Sequence, residues 1–313
     1  MTESTHPTLP INVDHVSAQF ARRGALADAQ FLYGEISQRM LERLAYIKIN
    51  PREILDAGCA TATALPGLSA RFPQAAYTGI DSCAALLELA RAQYMPGNRM
   101  QRWLRGVLPL RGETPSRPPE FRRADMASTG LAPESLELVW SNMALHWHPA
   151  PHAVLAEWRR ILHVNGLAMF SCLGPATLRE VRSALAQADL PTATLPFVDM
   201  HDFGDLLIEN GFADPVMDQE TITLTYQDPL RLLADVRALG GNPNPQRRKG
   251  LAGRGFRDRL AAALETQRGD DGMLRLTIEV AYGHAWRGAA RRSAGETHIS
   301  INAIGKGPRP DHP

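Results

Sequence analysis

Ile54-Leu55-Asp56-Ala57-Gly58-Cys59-Ala60-Thr61-Ala62, followed by Gly79-Ile80-Asp81, decides the reading of this chain. The first run reads as a buried strand ending in a tight turn onto a helix. The second reads as another strand with an acidic residue at its end. A doubly wound α/β fold builds a nucleotide-type site in this way: the turn lets backbone approach the ligand, and the acid accepts ribose hydroxyls. Asp81 stands 25 positions after Asp56, a spacing that suits the ribose contact. Ala60 and Ala62 occupy positions where glycines are usual. An alanine held at positive φ costs about 1 kcal/mol, which weakens a ligand up to about tenfold.

Outward from this stretch, strands alternate with helices. Glu53–Ala57, Ala76–Ile80, Leu136–Trp140 and Leu167–Cys172 read as strands. Leu65–Arg71, Ala84–Gln93 and His152–Leu162 read as the helices between them. Such alternation implies parallel pairing, because each crossover is itself a helix. The expected fold is α/β, with a doubly wound, mostly parallel seven-stranded sheet. Beyond Cys172, helices are expected at Thr177–Ala188, His201–Asn210, Leu230–Leu239 and Phe256–Thr266. Strands are expected at Glu220–Tyr226 and Leu274–Trp286, and Thr297–Ile304 could add an edge strand.

The expected organisation is a disordered 1–12, one domain over 13–287, and a flexible tail over 288–313. Within the domain, 13–48 is a helical lid, with Phe31, Ile36, Met40, Leu44 and Ile47 at helical spacing. Residues 94–123, with seven arginines and several prolines, form an insertion, and 227–273 form a helical one.

The chain has 313 residues, 44% hydrophobic and 21% charged, as in ordinary globular proteins. A net charge of +1 gives no global pull toward nucleic acid or membrane. Cys59, Cys83 and Cys172 are far apart and odd in number, which argues for reduced thiols. There is no apolar core of signal-peptide type and no apolar run near the roughly 20 residues that span a bilayer. A cytoplasmic location is expected.

In an open α/β sheet, ligands bind beyond the carboxyl ends of the strands. Strand one delivers Asp56, Gly58, Cys59 and Ala60; strand two delivers Asp81 and Ser82. A weaker third strand delivers Asp125 and Met126, and the fourth delivers Asn142, Leu145 and Trp147. An acid near the ribose, an acid-plus-apolar pair near a purine and small residues near a charged backbone suit an adenosyl ligand. The dinucleotide pattern G-x-G-x-x-G fails at two of three positions, and the G-x-G-x-G pattern of S-adenosylmethionine sites keeps only Gly58.

Downstream text separates these readings. Leu138-Val139-Trp140-Ser141-Asn142-Met143-Ala144-Leu145-His146-Trp147 resembles the fourth strand block of class I S-adenosylmethionine-dependent methyltransferases. Leu155-Ala156-Glu157-Trp158-Arg159-Arg160-Ile161-Leu162, with the Asn165-Gly166 turn into Leu167–Ser171, resembles the fifth. More narrowly, Cys172-Leu173-Gly174-Pro175-Ala176-Thr177-Leu178-Arg179-Glu180 and Tyr282-Gly283-His284-Ala285-Trp286 look like the malonyl-acyl-carrier-protein O-methyltransferases of biotin synthesis. The resemblance covers roughly residues 13–287. Ala21-Arg22-Arg23 through Phe31-Leu32-Tyr33-Gly34-Glu35 resembles a sister group at least as well: arginine hydroxylases that assist assembly of respiratory complex I.

The first resemblance implies S-adenosylmethionine as cofactor and a malonyl thioester on acyl carrier protein as substrate, methylated at its free carboxyl group. That carboxylate is already ionised near neutral pH, so a lid matters more than a base. Phe20 and Tyr33 are the lid candidates, and Arg179 is the candidate clamp for the carboxylate. Arg247, Arg248 and Lys249, or the arginines of 94–123, are candidates for docking an acidic carrier. His146, His148 and His152 lack a nearby Cys or acid to complete a metal set, so no metal is expected. Two rivals stay open: the hydroxylase or assembly factor, and a non-catalytic adapter that lost its cofactor through Ala60 and Ala62.

Overall fold

The computed structural model describes residues 8–23, 30–95, 117–190, 192–248 and 253–289. Helices α1 (Val13–Arg23) and α2 (Gln30–Leu44) precede β1 (Glu53–Ala57). Then come α3 (Leu65–Arg71), β2 (Ala76–Asp81), α4 (Ala84–Tyr94), β3 (Glu120–Arg123) and β4 (Leu136–Asn142). A short 3-10 turn at Leu145–Trp147 leads into α5 (Pro151–Ile161) and β5 (Leu162–Leu173). The chain continues with α6 (Arg179–Gln187), α7 (Met200–Glu209), β6 (Phe212–Tyr226), α8 (Pro229–Ala238), α9 (Arg254–Glu265) and β7 (Leu274–Arg287).

The seven strands form one sheet in the order β3-β2-β1-β4-β5-β7-β6. Pairing is parallel from β3 through β5. The hairpin-like β6–β7 pair and the β5–β7 pair are antiparallel. Side chains on a strand alternate between faces, and the core divides accordingly. Ile54, Leu138, Trp140, Leu167 and Met169 pack on one face. Leu55, Val139, Ala168 and Phe170 pack on the other, under Trp158 of α5 and Phe203 of α7. Both faces are covered, which is why the central strands read as continuous apolar runs. From β1 the chain winds toward β2, and from β4 it winds the other way toward β5. A crevice therefore opens beyond the ends of β1 and β4.

The structure differs from the sequence reading in several places; β5 starts at Leu162 rather than Leu167 and runs through Asn165-Gly166, which reads as a turn, and three further stretches depart. Residues 8–12, expected to be disordered, are fixed. The Leu9 N–H donates to the Pro149 carbonyl at 2.7 Å, Asn12 N–H donates to the Pro243 carbonyl at 3.1 Å, and Ile11 is buried. Strand β3 falls inside the stretch read as an insertion; it is a charged edge strand with only Phe121 buried, so its composition imitates a loop. Strand β6 begins at Phe212 rather than Glu220, because an edge strand half open to solvent tolerates Asp214 and Asp218. The expected edge strand at Thr297–Ile304 and most of the 288–313 tail lie outside the described residues.

Candidate functional site

The turn after β1 is pinned to β2. The N–H groups of Gly58 and Cys59 both donate to the Ile80 carbonyl at 2.9 Å. Gly58 sits at φ +78°, and a Cβ there would come within 2.3 Å of the Ala144 methyl. Only glycine lets β1 and the segment after β4 approach this closely. Ala60 and Ala62 adopt φ values of +48° and +58°. The alanines thus keep the left-handed backbone that glycines would supply, at a strain of about 1–2 kcal/mol each.

That backbone has a use. It aims the Ala60 N–H at Asp81 Oδ2 (2.9 Å), while the Cys83 N–H donates to Asp81 Oδ1 (2.8 Å). Asp81 is held rigid, and each oxygen keeps a lone pair for a ligand hydroxyl. Burial raises its pKa, and the two backbone hydrogen bonds oppose the rise. Asp56 accepts from the Tyr77 hydroxyl at 2.5 Å. Burial pushes the Asp56 carboxyl up to about 7; the Tyr77 bond pulls it down, and the Asp81 charge adds to the rise.

Asp125 is fixed from two sides. Its Oδ1 accepts from the Ala127 N–H at 2.7 Å and lies 3.1 Å from His148 Nε2. His148 Nδ1 accepts from the Ala150 N–H at 3.1 Å. The imidazole proton therefore sits on Nε2, and His148 donates to Asp125. His148 is thus a positioning residue for Asp125, a role its sequence neighbourhood does not announce. Asn142 donates to the Tyr33 carbonyl at 3.0 Å and accepts from the Ser171 hydroxyl at 2.9 Å, tying α2 to the ends of β4 and β5.

These groups converge on one cleft. Asp56, Gly58, Cys59, Ala60, Asp81, Ser82, Asp125, Met126, Asn142 and Trp147 all line it, as does Tyr33. Helix α1 roofs it with Val16, Ser17 and Phe20. Phe20 stands edge-on to Trp147, ring centres 5.5 Å apart. Trp147 also anchors Ile11, Val16 and Leu195, so the N-terminal segment and the 192–197 stretch meet on one ring.

Two expected site residues lie elsewhere. Leu145 is fully buried in the core beneath the cleft, because its 3-10 turn points it toward α5 rather than the opening. Arg179 is exposed and pairs with Glu180 at 3.1 Å; it starts α6 on the outer surface and does not reach the cleft. The described arginines of the 94–123 stretch are also engaged. Arg117 lies 3.6 Å from Glu53, Arg122 pairs with Glu120 at 2.8 Å, and Arg123 donates to the Ser82 carbonyl at 3.2 Å. Arg247 bonds His15 at 3.1 Å, and Arg248 lies over the Phe256 ring. Lys249, Arg99, Arg102, Arg105 and Arg111 lie outside the described residues.

Among the described residues, the cleft wall carries three carboxylates and no lysine or arginine. Such a donor set fits a ligand with ribose hydroxyls and positive charge, and an S-adenosyl group has both. Of the two alanines, Ala60 lines the cleft and Ala62 is buried beneath it, and both keep a left-handed backbone.

Comparisons agree. The family profile described as "Methyltransferase domain" matches residues 55–170. The YcgJ protein of Bacillus subtilis superposes with a TM-score of 0.55 over 82% of this chain and 99% of its own, at 12% identity. A putative methyltransferase of Bacillus halodurans gives 0.53 over 80% and 98%, at 15% identity. Fold and site together define a class I, Rossmann-like S-adenosylmethionine-dependent methyltransferase. The malonyl-acyl-carrier-protein O-methyltransferase of Laribacter hongkongensis is 42% identical over 88% of this chain and 90% of its own length. That of Methylovorus sp. is 38% identical over 90% and 91%. The chain belongs to the malonyl-acyl-carrier-protein O-methyltransferase family. The hydroxylase and adapter readings are not favoured, because these relatives match across nearly their whole length.

Proposed function

We propose that this protein transfers a methyl group from S-adenosylmethionine to the free carboxylate of a malonyl thioester carried on acyl carrier protein, a step of biotin synthesis. The reading is carried by the cleft at the β1–β4 crevice, whose three carboxylates suit the cationic cofactor, taken with the names of relatives at 42% and 38% identity.

Asp81 would hold the ribose through the two lone pairs that its backbone donors leave free. Asp125, oriented by His148, and Met126 would flank the purine. Asp56 would face the charged end. Bound there, S-adenosylmethionine supplies an electrophilic methyl on a sulfonium. A malonyl carboxylate is ionised near neutral pH and needs no base. The protein's part is then to align the acceptor in line and to exclude water. The α1 roof with Phe20, the α2 residue Tyr33 and the Trp147 ring perform that exclusion. Tyr33 is fixed for it by donating its hydroxyl to the Leu239 carbonyl at 2.8 Å.

The test is incubation with S-adenosylmethionine and malonyl-acyl carrier protein. A base-labile methyl ester on the carrier is expected by mass spectrometry. Tight S-adenosylhomocysteine binding with no ester formed would overturn the substrate assignment.

A further inference from the structure

A second cavity, about 660 Å³, opens between α6, α8, α9 and the 192–197 stretch. Its floor is apolar, built from Val181, Leu185, Leu233, Val236, Phe256 and Leu260. Its charged lining is basic throughout: Arg182, Arg237 and Arg257, with no acid among the described lining residues. Arg182 donates to the Pro175 carbonyl at 2.6 Å, and Arg257 sits 3.2 Å from Asp258. Arg237 is exposed, and its guanidinium has no hydrogen-bond or ion-pair partner among the described residues.

This groove adjoins the cofactor cleft across a thin wall. Trp147 faces the cleft, and its indole rests on Gly240, where a Cβ would lie 2.2 Å from the ring. Gly241, the next residue, lines the groove. His146 lies tilted against Trp147, ring centres 4.9 Å apart, and meets the edge of Phe197, which also lines the groove, at 5.9 Å. His146 Nδ1 accepts from the Leu173 N–H at 3.3 Å, so the ring proton is on Nε2. His146 Nε2 and Trp147 Nε1 are both buried without a protein partner. Two N–H donors thus stand unused in the wall where the hollows meet, and a buried unmade hydrogen bond is unfavourable until something accepts it.

We propose that the groove holds the thioester arm on which the carrier presents its acyl group. The occupant is a slender amide-bearing chain ending in a phosphate, a phosphopantetheine-type arm. This rests on the carrier-borne substrate proposed above. The apolar floor takes the chain, the arginines at the mouth take the phosphate, and the inner end delivers the acyl head to the Trp147–His146 wall. Charge complementarity favours this occupant: the cleft is acidic and admits the cation, and the groove is basic and admits the anion.

The test is calorimetric titration of the full chain with 4′-phosphopantetheine, with pantetheine lacking the phosphate, and with S-adenosylhomocysteine. Three proteins are compared: the unsubstituted chain, Arg237→Glu at the exposed mouth, and Leu233→Trp on the floor. Arg237→Glu is expected to weaken phosphopantetheine at least about tenfold and pantetheine less than about twofold, as loss of a charge-assisted phosphate contact requires. Leu233→Trp is expected to lose both arms and to keep S-adenosylhomocysteine. No phosphopantetheine binding by the unsubstituted chain, or equal binding by all three, overturns the assignment. Competition by a fatty acid but not by phosphopantetheine also overturns it and gives the groove to an acyl chain. Arm binding with no methyl ester on the malonyl carrier leaves the groove standing and sinks the substrate reading instead.

Discussion

The cofactor cleft takes its chemistry from strand ends, and the groove beyond Trp147 takes its chemistry from helix faces. In the cleft, Asp56 lies near the end of β1, Asp81 ends β2 and Asp125 comes just after β3, and each carboxylate is held by a named donor. In the groove, residues from 178 to 260 meet across three helices, and the charged groups are long arginines, Arg237 and Arg257 exposed and Arg182 half-buried. One hollow is rigid and acidic; the other is apolar and basic. On the reading proposed above, the difference teaches how a cationic donor and an anionic carrier arm are kept apart until they meet: each cavity has the sign that disfavours the other's ligand.

The largest effect on this contrast should come from Gly58→Val. The added side chain overlaps Ala144 at a backbone φ that disfavours it, so S-adenosylhomocysteine affinity should fall at least about 100-fold by calorimetry, with circular dichroism checking that the fold persists. Asp81→Ala comes next. Losing a charged acceptor should weaken the same ligand about 10- to 100-fold. An unchanged affinity would remove Asp81 from the ribose role.

Acidity gives a finer probe. The Asp56 carboxyl is pushed up to about 7, chiefly by burial. Its folded value lies above its unfolded one, so it favours the folded state at low pH, and that contribution is lost as pH rises through about 7. A cationic ligand has the opposite preference: its affinity should rise severalfold between about pH 6 and about pH 8 as Asp56 ionises. Asp56→Asn should flatten that rise; a slope equal to that of the parent chain would show that another group sets it.

The smallest effect lies in the strained turn. Ala60 is only half-buried, so Ala60→Gly should relieve its left-handed strain and raise the melting temperature by about 2 °C. Ala62 is fully buried in the core. Deleting its methyl forfeits about 0.8 kcal/mol of burial, so Ala62→Gly should leave the melting temperature nearly unchanged.

The cleft was largely legible because a strand followed by a tight turn places its next residues at the sheet's edge, whatever the distant packing. Ten of the eleven expected cofactor-site residues line the cleft on that account. Leu145 departed because a 3-10 turn rotates successive side chains away from the strand's alternation. Arg179 departed because Leu178, at φ +61°, redirects the chain before α6 starts. Such a left-handed leucine leaves no mark in composition. The groove left no local signal either. Leu185, Leu233 and Phe256 each read as ordinary amphipathic-helix residues, and only the tertiary fold brings them to one hollow. The role of His148 was hidden for a simpler reason: its partner Asp125 lies 23 residues away.

Gly240 touches neither proposed ligand, yet the Trp147 indole occupies the space where its side chain would begin. Its φ of +137° adds a backbone requirement to the steric one. A substitution there would push the ring toward the roof on one side or the groove on the other, and would disturb both halves of the reaction at once. In a mutational survey scored by growth without biotin, Gly240 should therefore rank with the ligand-facing carboxylates in intolerance. A map of essential positions would thus place a hot spot where no chemistry occurs.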